Sequence, residues 1–183
     1  NNTSCASRVY VLRGQQVLFS SERHTWETPI WLVEYCSSQL GVFNLDAAAS
    51  HSNHKAPLYF TEGGLEADWI ETIDAAAGSS ILQDRVIWCN PPYGRVLGAW
   101  VQKCYQESQR GATVALLIPA RPDTRYWHDY CALASEWWLI KGRLKFCTDG
   151  VPSKNAAPFP SVVIIFRPIV NQLRVTHLVR PAL

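Results

Sequence analysis

Four consecutive residues, Asn90-Pro91-Pro92-Tyr93, combine groups that could hold and activate a planar amine. Asn90 and Pro91 each precede a proline, which pushes both toward extended backbone, so the chain leaves a strand without turning at once into a helix. The Pro91 carbonyl then lacks a helical partner, and the Asn90 side chain lies beside it. Two acceptors converge above the carboxyl end of a strand, where open α/β sheets bind ligands. An amino group placed there donates both hydrogens. Its nitrogen lone pair, otherwise delocalised into a ring, is drawn toward tetrahedral geometry and can attack an electrophilic methyl group in line. Tyr93 supplies a flat face for a planar substrate. The competing reading is a proline-rich turn after a strand; the Asn before both prolines and the aromatic after them favour the first.

A second candidate is Leu45-Asp46-Ala47-Ala48-Ala49-Ser50. An acid at the end of a first strand, followed by very small side chains, lets a cofactor approach the backbone closely. It is not the glycine-rich fingerprint of nicotinamide enzymes. Ile73-Asp74-Ala75-Ala76-Ala77-Gly78 imitates it, but too few residues separate that copy from Asn90 to hold the intervening elements. From Asp46 to Asn90 there are 44 positions, enough for them.

These groups need a scaffold. Thr28, a candidate N-cap, and Pro29 in the first turn open a helix. Leu32, Tyr35, Cys36, Gln39 and Leu40 recur at helical spacing, and Gly41 is its stop. Val42 to Leu45 reads as a short strand ending at Asp46. Residues 51–84 are poorly patterned, and Ala75 to Ser80 reads as a surface loop. Val86 to Cys89 is a strand, and Leu97, Trp100, Val101 and Cys104 mark a helix ending at Gly111. Thr113 to Ile118 is a continuous apolar run, as suits a parallel strand buried on both faces. Asp123 or Thr124 can cap a helix that turns Trp127, Cys131 and Ala134 inward. Trp137 to Ile140 and Val162 to Phe166 are further strands, joined by a long loop. Strands alternating with helices indicate an α/β domain with a mainly parallel sheet. Three segments are expected: a candidate hairpin within an extension over residues 1–21, a catalytic domain over 22–170, and a tail over 171–183.

Composition narrows the class. The chain has 183 residues, fits one domain, and is 48% hydrophobic with 8 Trp, so it can bury a sizeable core. No run approaches the ~18 uncharged apolar residues of a membrane span. Residues 1–21 lack a basic start followed by an apolar run, so no signal peptide is expected. The chain contains no Met, so its natural start is expected to lie outside this sequence. Its 6 Cys form no C-x-x-C pair, and most sit in apolar stretches, which points to buried thiols in a reducing cytoplasm rather than zinc or disulfides. Residues 1–84 carry 4 Lys/Arg and 10 Asp/Glu, whereas residues 85–183 carry 13 and 5. An acidic half suits a cationic small molecule and a basic half suits a polyanion, although sequence halves intermix in space.

Several motifs occur in one order: Trp26-x-Thr28-Pro29, Leu45 to Ser50, Tyr59-Phe60-Thr61, Asp68-Trp69, Trp88 to Tyr93, Gly142-Arg143-Leu144-Lys145-Phe146 and Ala157-Pro158-Phe159-Pro160-Ser161. Together, over about residues 24–168, they resemble the phage-type DNA N-6-adenine methyltransferases, the Dam-like family. The Asn-Pro-Pro-Tyr box occurs in several amino-methyltransferase families; the whole ordered set is more specific. The resemblance implies a Rossmann-like fold with an antiparallel last strand, S-adenosylmethionine as methyl donor, and an adenine flipped out of double-stranded DNA, in a bacterial or phage-infected cytoplasm. It implies that Thr28 and Pro29 lie near the donor's methionine end, that Asp46, Ala47, Ala48 and Ser50 form the cofactor loop, and that Asp68 and Trp69 flank its adenine. Asn90, Pro91, Pro92 and Tyr93 would hold the target base. Phe146, at the end of the strand before the long loop, is a candidate to stack on the base's other face, or else to end the core. The chain departs from better-known relatives in having alanines for the glycine-rich cofactor loop and no separate target-recognition domain.

Arg95, Arg121, Arg125, Arg143 and Lys145 fall near expected carboxyl strand ends and could hold phosphates, or form a solvated basic face. His51 and His54 have metal-like spacing but no further ligand, so no metal is expected. Trp137-Trp138 reads as core. A base inside a duplex cannot reach such a pocket, hence the flipping. The alternatives are a methyltransferase acting on a glutamine side-chain amide in a protein, which uses the same box, and a non-catalytic DNA-binding module on the same fold.

Overall fold

The computed structural model describes residues 11–12, 26–78, 84–169 and 173–180. The hairpin expected within residues 1–21 lies outside them, apart from strand β1 (Val11–Leu12), which pairs in parallel with β3 (Leu58–Phe60).

One eight-stranded sheet organises the chain, in the order β1-β3-β2-β4-β5-β9-β6-β10. Besides β1 and β3 it contains β2 (Leu45–Asp46), β4 (Val86–Cys89), β5 (Thr113–Pro119), β6 (Glu136–Ile140), β9 (Ser161–Phe166) and β10 (Arg174–Leu178). Neighbours from β1 to β5 run parallel, as do β6 and β10; β9 is antiparallel to both β5 and β6. The sheet is thus mixed and mostly parallel. The antiparallel strand is followed by one more, because the tail expected from residue 171 contributes β10 to the sheet edge.

Alternation along the strands builds two cores. Ile87, Cys89, Val114, Leu116, Val162 and Ile164 face helices α2 (Trp69–Ala77), α3 (Leu97–Gln109) and α4 (Arg125–Asp129). Trp88, Ala115, Leu117, Val163 and Ile165 face helix α1 (Ile30–Leu40). Runs buried on both faces lose their period-2 signature, which is why Thr113 to Ile118 reads as uniformly apolar.

The structure departs from the sequence-based expectations in three elements. The unpatterned stretch 51–84 holds β3 and α2, so Ala75 to Ala77 end a helix instead of lying in a loop. Pro29 occupies the N-cap of α1, and no side chain caps that helix. Strand β6 ends at Ile140, and Gly142 (φ +79°) turns the chain, so Phe146 lies in the connection beyond. That connection carries a small hairpin of β7 (Cys147–Thr148) and β8 (Val151–Pro152).

Candidate active site

The carboxyl ends of the parallel strands share one edge of the sheet. Asp46 closes β2, Phe60 closes β3, Asn90 follows β4, and Ala120 and Arg121 follow β5. Because β9 runs the other way, Ser161 at its start comes to the same edge, opposite Pro119.

Asn90 is fixed by groups far away in sequence. Its Nδ2 donates to the Trp26 carbonyl at 2.6 Å and to Thr28 Oγ1 at 3.2 Å. Two acceptors on one side settle the amide's orientation and turn Oδ1 the other way. There Oδ1 accepts from the Tyr93 hydroxyl at 2.7 Å, which also reaches the Leu117 carbonyl at 3.3 Å. Thr28 therefore serves Asn90 instead of capping α1. Pro91 is buried and Pro92 exposed.

Around Tyr93 stands an aromatic group that the sequence disperses over 134 positions, from Trp26 to Phe159. Ring centroids of Phe146 and Phe159 lie 6.4 and 5.6 Å from Tyr93, and Trp26 lies 5.0 Å from Phe146 and 5.5 Å from Phe159. Phe146 is only 2% exposed. It offers no free face to a base in this arrangement; it is the wall against which Tyr93 and Trp26 pack. Burial pushes the Tyr93 phenol well above its ordinary range, with the nearby Cys89 adding to the rise, so the hydroxyl stays a neutral donor.

Asp46 organises its own loop. Its carboxylate accepts from the Ala48 N–H at 3.2 Å and the Lys55 N–H at 2.9 Å, while Ala47 N–H binds the Trp88 carbonyl at 2.9 Å. Ser50 closes a tight turn with Asn53. Burial raises the Asp46 carboxyl to about 6, against the lowering effect of those two N–H groups. Next to this loop Gly64 is indispensable, because a Cβ there would sit 2.2 Å from the Ala47 carbonyl oxygen. The rival acid, Asp74, lies on α2 and forms a two-pronged pair with Arg85 at 2.7 and 2.8 Å.

Asp68 and Trp69 open α2. Asp68 is the N-cap of α2, accepting from the Glu71 N–H, and its other oxygen pairs with Arg110 at 2.7 Å. Arg110 follows α3 just before β5 begins. Trp69 is fully buried, donates to the Gly64 carbonyl and stacks on Trp100, leaving no surface for a ligand.

Arg95, Arg121, Arg125, Arg143 and Lys145 are all exposed. Arg125 pairs with Asp129, and Arg143 donates to the Pro158 carbonyl. Two groups escaped the sequence reading. Glu62, exposed just beyond β3, lies at the strand end neighbouring Asp46. Ser161 Oγ is buried without a hydrogen-bond partner, and strand alternation puts it on the α1 face, with Val163 and Ile165. Among the described residues no three His, Cys, Asp or Glu side chains cluster as a metal site, no helix is long and apolar enough to cross a membrane, and Cys36, Cys89, Cys104, Cys131 and Cys147 are free and buried.

Comparison with known proteins adds two findings. The model of the family described as DNA N-6-adenine-methyltransferase (Dam) matches residues 15–183. A DNA N-6-adenine-methyltransferase of Escherichia phage T1 is 25% identical over 130 residues, which cover 70% of this chain and 49% of that relative. The chain thus spans about half the length of the curated relative it matches.

Proposed function

Because the chain belongs to the DNA N-6-adenine-methyltransferase (Dam) family, we propose that it transfers a methyl group from S-adenosylmethionine to the exocyclic amino nitrogen of an adenine flipped out of double-stranded DNA. We read its sheet as a Rossmann-like methyltransferase fold with the reaction at the carboxyl edge.

The observation that carries this reading is the anchoring of Asn90. With Nδ2 held by Trp26 and Thr28, Oδ1 keeps a fixed orientation as an acceptor, and only the Tyr93 hydroxyl has to leave it. An adenine amino group takes the place of the Tyr93 hydroxyl on Oδ1 and gives its second hydrogen to the Pro91 carbonyl. Both bonds pull the nitrogen toward tetrahedral geometry and return its lone pair from the ring; after it takes the methyl group, the nitrogen releases one of its two protons to water. Tyr93, released from Asn90, keeps its ring beside the base, backed by Phe146 and Phe159. The rest of the catalysis is positioning.

The residues present fit the methyl donor by their chemistry. Glu62 is exposed at the strand end beside Asp46, where an acid suits a molecule with cationic centres and ribose hydroxyls, and Asp46, buried with both oxygens on backbone N–H groups, fixes the loop that carries the half-buried Ala48 and Ser50. When bound, S-adenosylmethionine supplies an electrophilic methyl group on a positively charged sulfur. Thr28 and Pro29, Asp46 with Ala47, Ala48 and Ser50, and Glu62 would hold it. Arg95, Arg121, Arg143 and Lys145 would meet phosphates.

The test incubates the protein with S-adenosylmethionine and unmethylated duplex DNA, digests the DNA and identifies the modified nucleoside by mass spectrometry. N6-methyl-2′-deoxyadenosine is expected. Asn90→Ala should lower transfer by about a hundredfold or more, in the range found when one preorganised hydrogen-bonding group is removed. Its affinity for S-adenosylmethionine in calorimetry should hold within about threefold, under 1 kcal/mol. Methylated protein without methylated DNA, or Asn90→Ala working at the wild-type rate, would refute the reading.

A further inference from the structure

We propose that a cavity at the amino edge of the sheet, between α1 and the starts of β6 and β10, binds a phosphoryl group through Arg167 and Arg174, apart from the methyl-transfer site. Strand direction sets the place. Glu136 and Arg174 begin β6 and β10 and pair in register, and Arg167 follows the end of the antiparallel β9. All three therefore sit at the edge opposite to the one that holds Asn90. Together with Tyr35 and Gln39 of α1, Trp138 and Thr176, they line a cavity of about 290 Å³. That volume lies at the small end of ligand pockets and suits a small ion or a mononucleotide.

One buried carboxylate organises the cavity. Glu136 is 6% exposed. Its Oε1 accepts from Arg167 Nε at 3.2 Å, from Arg167 Nη2 at 3.0 Å and from Arg174 Nη2 at 2.8 Å. Its Oε2 accepts from the Trp138 indole N–H at 2.9 Å. Burial pushes the carboxyl up, but the hydrogen bonds from Trp138, Arg167 and Arg174 outweigh it and hold the group below its ordinary range, so it is ionised at neutral pH. Glu136 is the one acid among the lining residues. Two guanidiniums thus share one carboxylate, and one positive charge is left over.

Donors are left over as well. Both Glu136 oxygens are spent, whereas the guanidiniums are not. Each guanidinium carries several N–H donors in a fixed fork, of which Arg167 commits only Nε and Nη2 and Arg174 only Nη2. A clamp across the strand ends needs only one of the two arginines. Arg174 has a side chain 71% exposed, and an exposed ion pair adds little to stability. Held side by side on one oxygen, the two guanidiniums instead present oriented N–H groups and surplus charge, the arrangement that takes a phosphoryl group by paired, charge-assisted hydrogen bonds. The Gln39 amide and the Thr176 hydroxyl stand beside them to meet its remaining oxygens.

The experiment follows the Trp138 indole N–H, which reports on Glu136, in proton–nitrogen correlation spectra of the full chain, with the signal assigned by Trp138→Phe. Inorganic phosphate, deoxyadenosine monophosphate and a short DNA duplex are titrated separately at constant ionic strength in a phosphate-free buffer. Phosphate should shift the signal saturably. Arg174→Gln leaves Arg167 on Glu136 and should keep the melting temperature, but it should weaken phosphate binding about tenfold or more. Arg174→Lys should weaken it less, because lysine keeps the charge and loses the fork. Arg180→Gln removes an exposed charge outside the cavity and should bind phosphate within about twofold of wild type. Half-saturation by the mononucleotide well below that of phosphate would support the site with a free nucleotide as the source of the phosphoryl group; the same result with the duplex would support it with the DNA backbone as the source. A signal that none of the three ligands shifts saturably, wild-type affinity in Arg174→Gln, or equal weakening by Arg174→Gln and Arg180→Gln would overturn the site. None of these results depends on methyl transfer, which the nucleoside assay reads separately.

Discussion

Replacing Phe146 with alanine separates a wall from a stacking surface, because the two roles predict different failures. The ring is 2% exposed and lies within 5.0 to 6.4 Å, centroid to centroid, of Trp26, Phe159 and Tyr93. Truncating a buried Phe costs about 3–5 kcal/mol in lost transfer and cavity terms. Each aromatic pair adds about 0.5–1.5 kcal/mol beyond burial, which places this site in the upper part of that range. For a chain of this length each kcal/mol moves the melting temperature by about 2–4 °C, so a drop of roughly 8–20 °C is expected. The assay is thermal unfolding followed by circular dichroism, with transfer measured per folded molecule well below the lower melting point. Transfer should fall less than about tenfold, because Phe146 acts through Tyr93 and does not face the base. Phe146→Leu, which keeps most of the volume, should recover most of the stability. A melting temperature within about 2 °C of wild type together with a hundredfold loss of transfer would refute the argument and restore Phe146 as the second stacking face.

Asp46 predicts a pH dependence. With its carboxyl raised to about 6 in the folded free protein, and the ordinary value at 3.8, its contribution to stability is fully present below 3.8 and is lost as pH rises through about 6. At about 1.4 kcal/mol per pH unit this amounts to about 3 kcal/mol, so the free protein should gain stability on acidification across that window in denaturant titrations. A cationic ligand favours the ionised form, so S-adenosylmethionine affinity should weaken below pH 6, by up to about tenfold per pH unit; calorimetry showing a flat profile would remove Asp46 from the cofactor's surroundings. Gly64→Ala sets a Cβ against the Ala47 carbonyl and should cost about 1–3 kcal/mol in the same titrations, as overpacking does, with a loss of S-adenosylmethionine affinity; an unchanged protein would mean the two loops move freely. Ser161→Ala removes a buried hydroxyl without a partner and should leave the melting temperature level or higher, since an unsatisfied group costs about 1–3 kcal/mol. A rise in KM for DNA in that variant would mark the hydroxyl as a contact to the base.

Local rules were legible in the residues alone. The steric effect of two prolines made Asn90 to Tyr93 an extended exit from a strand, and uniform burial made Thr113 to Ile118 a central strand. Helical spacing found α1, α3 and the inward faces of Trp127 and Cys131. The acid at the end of β2 could be preferred over its copy at Asp74 by counting the chain between them and Asn90. Each of these inferences uses forces acting within a few residues or the length of chain needed to build an element. What holds Asn90, however, is a carbonyl 64 residues earlier, and a hydrogen bond of that kind leaves no trace in local pattern. The wall formed by Trp26, Phe146 and Phe159 is likewise assembled only when three separate segments fold onto one edge. Tertiary structure also placed Trp69 in the core, and an exposed aromatic and a core aromatic are the same letter in a sequence. The antiparallel entry of β9, which brings Ser161 to the carboxyl edge, depends on strand pairing, and pairing is decided by which apolar faces find each other across the whole sheet.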